Sequence, residues 1–363
     1  MTNAILRGKP DAGNPHVRFD EGEVASAKPR RGSLLYKKLI PILSAALLAG
    51  CMTDKTTCGA GKAKCDPVMG NWSADLPYDT MPAGSFIFSR DANGAPQAFV
   101  LYRWGSPEWV KDLKVCGNWF SFTHPYGYRY EGSVVGDRMV ARLAPCDGKT
   151  GALKGAWQPF YGWRNPAICD KVRTEDAKLG APVDLLKDGL DGWVSMNPKA
   201  PFGWSFKDGV LSNKLERKPD GKPIHGANIV SKRADFFDFN LEYDVRVPQN
   251  SNSGVYLRGR FECQVLDSYG KPVDRHNMAA YYGRVTPSVA AEKPAGEWQH
   301  VSVTIYKGHI TTYLNGVKII DNAKLEGVTG GAIDADLNKA GPIYLQGDHS
   351  DADYKNMILR PAL

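Results

Sequence analysis

Apolar and polar residues alternate in short runs along this chain from Gly70 onward, and clusters of Gly, Pro, Asn and Asp separate the runs. Side chains of a β-strand point alternately to the two faces of a sheet, so this pattern predicts half-buried strands. No run has a sustained helical period. Residues 128–143 predict a hairpin that turns at Gly136-Asp137, one of the favoured two-residue turns. The first half contains further predicted strands at 85–89, 97–104, 119–123 and 134–143.

The alternation is stronger in the second half of the chain. Apolar residues occupy every second position from Phe239 to Val247 and again from Val301 to Ile305. Asn315-Gly316 lies between two apolar segments, which is the strongest short-range signal for a hairpin. Many strands without helices predict an all-β protein with packed antiparallel sheets. We expect a small β-barrel or β-sandwich domain over 66–170, a short charged linker, and a second β-domain over 183–363.

Residues 252–270 are predicted to form a strand with two distinct faces. One face would pack into a core with the apolar side chains of Val255, Leu257, Phe261, Cys263 and Val265. The opposite face would present the polar side chains of Tyr256, Arg258, Arg260, Glu262 and Gln264. Such a polar face is typical of a solvated surface with cross-strand ion pairs, but it can also form the floor of a binding site.

The N-terminal residues predict export. Lys37 and Lys38 precede an apolar run at 39–48, and small residues then lead to Cys51, which is the layout of a secretory signal. The run is about half the length of a membrane-spanning helix. A Cys after small residues resembles the lipobox of bacterial lipoproteins, with Cys51 carrying the lipid; a short buried helix with an incidental Cys is the alternative.

These features divide the N-terminal region into three predicted segments. Residues 1–36 are polar and rich in Gly and Pro, so they are expected to be disordered or to be an extension from a start codon placed too far upstream. Residues 37–50 would be the lipoprotein signal segment, and 51–65 a Cys-containing linker. The mature protein is then expected in the cell envelope, lipid-anchored to a membrane, with the outer membrane favoured and the protein facing the periplasm or the cell surface.

The net charge of the chain is lower once the predicted signal is removed. The formal net charge is +7, and residues 1–50 contribute +4 of it through eight Lys or Arg and four Asp or Glu. The remaining chain is near +3 and has no basic run with interleaved aromatic residues. We therefore expect no nucleic acid as a partner.

Six cysteines follow Cys51, and an exported protein can form disulfides. Five of them lie in the first half, so either one is free or one reaches Cys263 in the second half. Cys58 and Cys65 form the most local candidate pair. Zinc is the competing interpretation, but neither a CxxC pair nor a suitable His spacing supports it.

Motifs in the C-terminal half allow a more specific expectation. Seven segments occur in the same order as in the 3-keto-disaccharide hydrolase domain family, which the region from about Val183 to Leu363 resembles. They are DLLKDGLDGW (184–193), WSFKDGVL (204–211), IVSKRADFFDFNLEYDVRVP (229–248), NSGVYLRGRFECQVLDSYG (252–270), KPAGEWQH (293–300), YLNGVKIIDN (313–322) and GPIYLQGDH (341–349). The resemblance implies a concanavalin-like or laminin-G-like jelly-roll sandwich. It also implies hydrolysis of an oxidised (3-keto) di- or oligosaccharide or glycoside.

The chemistry that the resemblance implies begins at a sugar already oxidised at C3. A ketone at C3 acidifies the hydrogen on C2, so a base can remove that proton and the enolate can expel the substituent at C1. Addition of water then completes a net hydrolysis. Such a site needs a base, groups that hold the enolate oxygen, and a proton donor for the leaving group.

We expect the catalytic groups to be Glu262, Gln264, Asp267 and His349, with Glu262 as the base or a metal ligand. Glu262, Asp267 and His349 together could hold a divalent cation of the kind the resemblance suggests. The expected substrate-binding residues are Arg258, Tyr282, Lys293 and Asp348, and the Tyr282 phenol could also serve as the proton donor. His276 lies in a segment that departs from the family pattern.

A lipid-anchored carbohydrate-binding protein without catalysis is the alternative function. Jelly-roll sandwiches also bind sugars without cleaving them, so the fold cannot decide between the two.

Overall fold

The computed structural model describes residues 66–363. The predicted signal, the lipidation site at Cys51 and the pair Cys58 and Cys65 lie outside these residues. Within them the fold is all-β, as predicted, and two short 3₁₀ turns occupy Thr174–Asp176 and Gly189–Gly192. No helix in this range is long and apolar enough to cross a membrane.

Nine strands form the first sheet, which we call the N-terminal sheet. They are β1 (Gly70–Asp75), β2 (Ala83–Arg90), β3 (Pro96–Leu101), β4 (Glu108–Trp109), β5 (Lys111–Cys116), β6 (Trp119–His124), β7 (Tyr128–Val135), β8 (Arg138–Pro145) and β9 (Gln158–Arg164). All of them pair antiparallel in the order β4-β3-β2-β1-β9-β8-β7-β6-β5. The Val110 amide donates to the Ala98 carbonyl at 3.0 Å, so the two ends of the sheet approach each other and the sheet nearly closes into a barrel. The predicted hairpin at Gly136-Asp137 is confirmed as the turn between β7 and β8.

Two further sheets form a sandwich over the second half. Their strands are β10 (Val183–Asp184), β11 (Trp193–Ser195), β12 (Trp204–Lys207), β13 (Val210–Asn213), β14 (Ile229–Ser231), β15 (Phe239–Arg246), β16 (Asn252–Leu257), β17 (Phe261–Leu266), β18 (Gln299–Tyr306), β19 (His309–Leu314), β20 (Val317–Lys324), β21 (Tyr344–Leu345) and β22 (Ala352–Pro361). Eight strands form one sheet in the order β12-β13-β22-β15-β18-β19-β20, with β10 also on β22. Five strands form the other, which we call the site sheet, in the order β11-β14-β21-β16-β17.

The core of the sandwich lies between these two sheets, and apolar residues at alternate positions of their strands fill it. Asn315 and Gly316 form the turn between β19 and β20, and both have positive φ (51° and 84°), as a tight hairpin turn of this kind requires. The predicted hairpin there is confirmed.

Residues 252–270 are not one strand, contrary to the sequence prediction. They form a hairpin of β16 and β17, in which Tyr256 lies opposite Glu262. Arg258 and Gly259 adopt positive φ values of 55° and 68° and reverse the chain. Gly259 is a familiar turn residue, whereas a positive φ is unusual for arginine, so Arg258 gives no turn signal in the sequence.

Most residues of this segment lie on the faces predicted for them, although the chain reverses within it. The five apolar residues assigned to the core are all buried there. Arg258 and Arg260, however, lie in the turn and leave the polar row. Arg260 is buried and forms an ion pair with Asp334 through two bonds of 2.6 and 2.5 Å.

The cysteines within the described residues form no cross-link between the two halves. No disulfide joins two of the cysteines within 66–363, and Cys263 is buried in the sandwich core. The Tyr243 hydroxyl donates to the Cys263 sulfur at 3.3 Å. Cys263 therefore acts as a core residue, and the predicted alternative in which it forms a disulfide with the first half is not found.

Candidate active site

Glu262 lies on the face of the site sheet that is turned away from the sandwich core. Its neighbours on β17, Phe261 and Cys263, point into that core. Across the hairpin, the Tyr256 ring stacks on the Tyr344 ring of β21 with centroids 4.2 Å apart. Gly254 leaves space for the carboxyl group, because a Cβ at that position would collide with Glu262 Oε1. The sequence places a glycine where the carboxylate needs room.

Burial dominates the electrostatics of Glu262, whose side chain is almost fully enclosed. Desolvation raises the pKa of Glu262 from 4.5 to about 8; a hydrogen bond with Tyr256 opposes this rise, and the nearby charge of Asp348 adds to it. Glu262 Oε2 has no hydrogen-bond partner. A buried carboxyl with an unsatisfied oxygen and a raised pKa is a candidate for proton transfer to or from a ligand.

Asp348 and His349 lie in the segment that follows β21, and Asp348 is near enough to Glu262 for its charge to raise the pKa of that carboxyl. His349 Nδ1 and Asp348 Oδ1 are 2.5 Å apart, and the Asn228 amide donates to Asp348 Oδ2 at 3.3 Å. Burial alone would raise the pKa of Asp348, but the His349 contact outweighs it and the pKa is lowered. Burial alone would lower the pKa of His349, but its bond to Asp348 raises it. This pair therefore favours an imidazolium beside a carboxylate.

Tyr282 lies on the other side of Glu262. Its backbone amide donates to the Glu262 carbonyl at 3.0 Å. Burial raises the pKa of the Tyr282 phenol, and the charge of Glu262 raises it further, so Tyr282 is protonated at neutral pH. His276 contacts the Tyr282 ring edge to face, with centroids 5.4 Å apart. The structure thus brings Tyr282 and His276 together next to Glu262.

Ser106 of the N-terminal sheet also reaches this site, which the sequence patterns did not predict. Its hydroxyl lies 2.7 Å from His276 Nε2. Ser106 belongs to the loop between β3 and β4, 170 residues before His276. Local patterning carries no information on contacts over such a separation, and a lone serine in a loop gives no signal of its own.

The remaining predicted site residues have their polar contacts elsewhere. Arg258 lies over the rings of Phe237 and Phe261, at 4.6 and 4.8 Å from their centroids. Lys293 donates from Nζ to the Trp298 carbonyl at 3.1 Å. Arg258 Nε has no hydrogen-bond partner, and Lys293 Nζ makes one bond to a carbonyl, so the sugar-binding role of both residues stays a prediction.

Gln264 and Asp267 follow Glu262 along the hairpin. Gln264 is buried and uses Oε1 to accept from the backbone amide of Val265 at 3.0 Å. Asp267 lies just beyond β17 and accepts from the Asn250 amide at 2.8 Å. Strand geometry places Asp267 about 16 Å along the chain from Glu262, so the two carboxylates do not meet.

The predicted metal ligands Glu262, Asp267 and His349 do not form a metal site in this arrangement. Among residues 66–363, no group of three His, Cys, Asp or Glu side chains converges to hold an ion. The Asp267 carboxylate caps a backbone amide instead. The residues present do not fit the predicted cation, and we derive no step through it.

Fold and site together define a class: a jelly-roll β-sandwich of the kind found among sugar-cleaving and sugar-binding proteins, with a buried carboxyl among aromatic rings on one sheet. Within that class, residues 183–360 match the model of the 3-keto-alpha-glucoside-1,2-lyase-like domain family. The resemblance seen in the sequence motifs is confirmed over this region.

Individual proteins show a more distant similarity. A 3-keto-disaccharide hydrolase of Bacteroides thetaiotaomicron is 23% identical over 39% of this chain and 61% of its own length. A provisionally assigned glycosyl hydrolase from Parabacteroides distasonis is 20% identical in structure-based alignment, with a TM-score of 0.39 over 50% of this chain and 94% of that one. β-Agarase B of Zobellia galactanivorans is 15% identical, with a TM-score of 0.34 over 49% of this chain and 87% of that one.

Proposed function

We propose that this protein cleaves 3-keto-glycosides by elimination and hydration, with Glu262 as the base. The family match and the distant hydrolase relative support a hydrolase acting on carbohydrates. The observation that carries the mechanism is the Glu262 carboxyl, which is buried, has a raised pKa and keeps one oxygen without a partner. A carboxylate in such a site is poised to remove a weakly acidic C–H proton.

In the elimination step, the Glu262 carboxylate takes the proton from C2. The electron pair of that C–H bond forms the C1–C2 double bond, and the bond from C1 to the leaving oxygen breaks. Tyr282 gives its phenolic proton to this oxygen and becomes a phenolate. His349 is available as a charged donor for the C3 oxygen, where negative charge develops, because the contact with Asp348 raises its pKa.

In the hydration step, water adds to the same double bond and restores both groups. The water oxygen bonds to C1 while the Tyr282 phenolate takes the released proton. The protonated Glu262 returns a proton to C2. The cycle consumes one water molecule and needs no further reactant, so the net reaction is hydrolysis of the glycosidic bond.

The direct test compares a 3-keto-glucoside with its unoxidised parent. We expect cleavage of the keto sugar only, because C2 of the parent has no adjacent carbonyl to acidify its hydrogen. Deuterium at C2 should slow the reaction, whereas an acid-catalysed glycosidase would show no primary isotope effect there.

Two further outcomes of this test separate the competing interpretations. Cleavage of neither sugar, with binding retained, would favour a noncatalytic carbohydrate-binding protein. Loss of cleavage on adding a chelator, with recovery on adding a divalent metal, would support the predicted cation.

A further inference from the structure

The loop between β3 and β4 of the N-terminal sheet lies against both sides of the Glu262 site. On one side, the Gly331 amide donates to the Arg103 carbonyl at 2.9 Å. The Tyr256 hydroxyl donates to the carbonyl of Gly330, the preceding residue, at 2.8 Å, and Tyr256 is the residue opposite Glu262. A Cβ on Gly330 would collide with the Gly105 backbone, so the loop packs directly on this segment.

On the other side, the loop is fixed to the segment that carries His276 and Tyr282. Arg275 donates to the Pro107 carbonyl at 3.1 Å and to the Glu108 carboxylate at 2.9 Å. Gly283 also lies tightly against this loop, because a Cβ there would come within 2.9 Å of both Ser106 Cβ and Pro107 Cδ. The position of Ser106 is therefore set by several independent contacts.

Ser106 is the one polar side chain of this loop that bridges His276 and Tyr282. It is 5% exposed, and its hydroxyl lies 2.7 Å from Nε2 of His276, the ring that packs edge to face on Tyr282. The interaction with Ser106 opposes the rise in the pKa of the Tyr282 phenol. His276 Nδ1 in turn lies 3.3 Å from Asp274 Oδ1. A hydroxyl can accept one hydrogen bond and donate another, so in the tautomer of His276 that carries its proton on Nε2, Ser106 accepts from His276 and its own proton is free to go to Tyr282.

We propose that Ser106 is a positioning residue for Tyr282, supplied to the sugar-cleaving site by the N-terminal sheet. This inference rests on the proposed function. Ser106 holds the phenol for proton donation to the leaving oxygen, and its O–H donates to the phenolate that exists between elimination and hydration. Hydrogen bonds to a charged oxygen are the stronger kind, so the effect is larger on the intermediate than on the bound substrate. The N-terminal sheet is then part of the catalytic unit.

A double-mutant cycle tests this role against simple packing. Ser106→Ala should lower kcat about tenfold with KM changed less than about twofold, the loss expected for one charge-assisted hydrogen bond. Tyr282→Phe should lower kcat about 100-fold. If Ser106 acts through Tyr282, the double variant should be no slower than Tyr282→Phe alone, whereas independent losses would multiply.

The matched control is Ser133→Ala, because Ser133 is buried in the same sheet and its hydroxyl has no partner. It should leave kcat unchanged. Unchanged kcat in Ser106→Ala, or multiplied losses in the double variant, would overturn the inference.

An NMR measurement decides the point without turnover. In protein carrying ¹³Cζ-labelled tyrosine, the resonance of Tyr282 is assigned as the one that disappears in Tyr282→Phe. Ser106→Ala should shift this resonance, and Ser133→Ala should leave it unchanged. A Tyr282 resonance that does not respond to Ser106→Ala would contradict the inference. A wild-type protein that cleaves no 3-keto-glucoside would instead refute the proposed function, and the NMR result would still test whether Ser106 positions Tyr282.

Discussion

At the scale of single residues, the proposed function depends on one carboxyl group in an unusual environment. Glu262 was predicted from the alternation of its segment together with the family motif, and the structure places Tyr282 and Asp348 near it. Asp348 was predicted from its place in a family motif, and Tyr282 from the chemistry of its phenol alone. The raised pKa of Glu262 could not be predicted, because it depends on burial under side chains from distant parts of the chain. The contact of Ser106 with this site could not be predicted either, because it also depends on the packing of distant parts of the chain.

The pKa of Glu262 predicts a characteristic pH–rate profile. Because the carboxylate form is the base, kcat/KM for a 3-keto-glucoside should rise with pH and reach half its plateau near pH 8. The measurement is the initial rate at subsaturating substrate between pH 5 and 10, within the range where the fold is stable. A profile that is already flat above pH 5 would mean that Glu262 titrates normally or is not the base.

The same pKa predicts how the stability of the fold varies with pH. The native state holds the Glu262 proton more tightly than the unfolded chain, so its contribution to stability is fully present below pH 4.5 and is lost as pH rises toward 8. Glutamine does not titrate, so Glu262→Gln should not lose stability in this way as the pH rises. Its melting temperature relative to wild type should therefore increase by about 2 °C or more from pH 5 to pH 9, measured by thermal denaturation at matched ionic strength. A constant difference would contradict the raised pKa.

At the scale of elements, the β16–β17 hairpin places Glu262 opposite Tyr256. The strand character of both halves could be predicted from the sequence, because alternation is a local property. The turn was not predicted, because Gly259 is the one turn residue in an Arg-Gly-Arg sequence whose arginines depend on tertiary support. Arg260 is held by Asp334, and Arg258 lies over two phenylalanine rings.

This support predicts that Asp334→Ala destabilises the protein. The change leaves the buried Arg260 guanidinium without its carboxylate and should cost about 3 kcal/mol of unfolding free energy, measured by denaturant titration. Asp235→Ala is the matched control, because Asp235 pairs with Arg233 on an exposed surface and such pairs contribute little. Equal effects of the two substitutions would show that the Arg260 pair does not hold the turn.

At the scale of the whole molecule, the sequence predicted a small β-barrel or β-sandwich followed by a sandwich domain, the first from its local pattern and the second from its pattern and the family resemblance. The structure has one nearly closed sheet followed by a sandwich. The sequence did not predict that a loop of the first would contact the site of the second. Such contacts arise from the packing of distant segments, which no periodicity encodes. The predicted signal and anchor precede the described residues and stay predictions.

We expect the Cys51 anchor to determine where the full chain resides. In a bacterial host that processes lipoproteins, the wild-type chain should partition with membranes, and mass spectrometry should find a lipidated Cys51 as its first residue. Cys51→Ser should abolish lipidation and release the protein from membranes. A wild-type protein that is soluble and keeps its residues 37–50 would contradict the predicted signal.

The most direct test of the central claim is kcat/KM of Glu262→Gln on a 3-keto-glucoside, compared with wild type and with a control variant, Glu242→Gln. The Glu242 carboxylate lies on β15 and pairs with Arg360 of β22. Glutamine has nearly the shape of glutamate but cannot accept the C2 proton. We predict a loss of about 1000-fold for Glu262→Gln, with substrate affinity near that of wild type and no loss for the control. A Glu262→Gln protein that keeps activity within about twofold of wild type would contradict the assignment of Glu262 as the base.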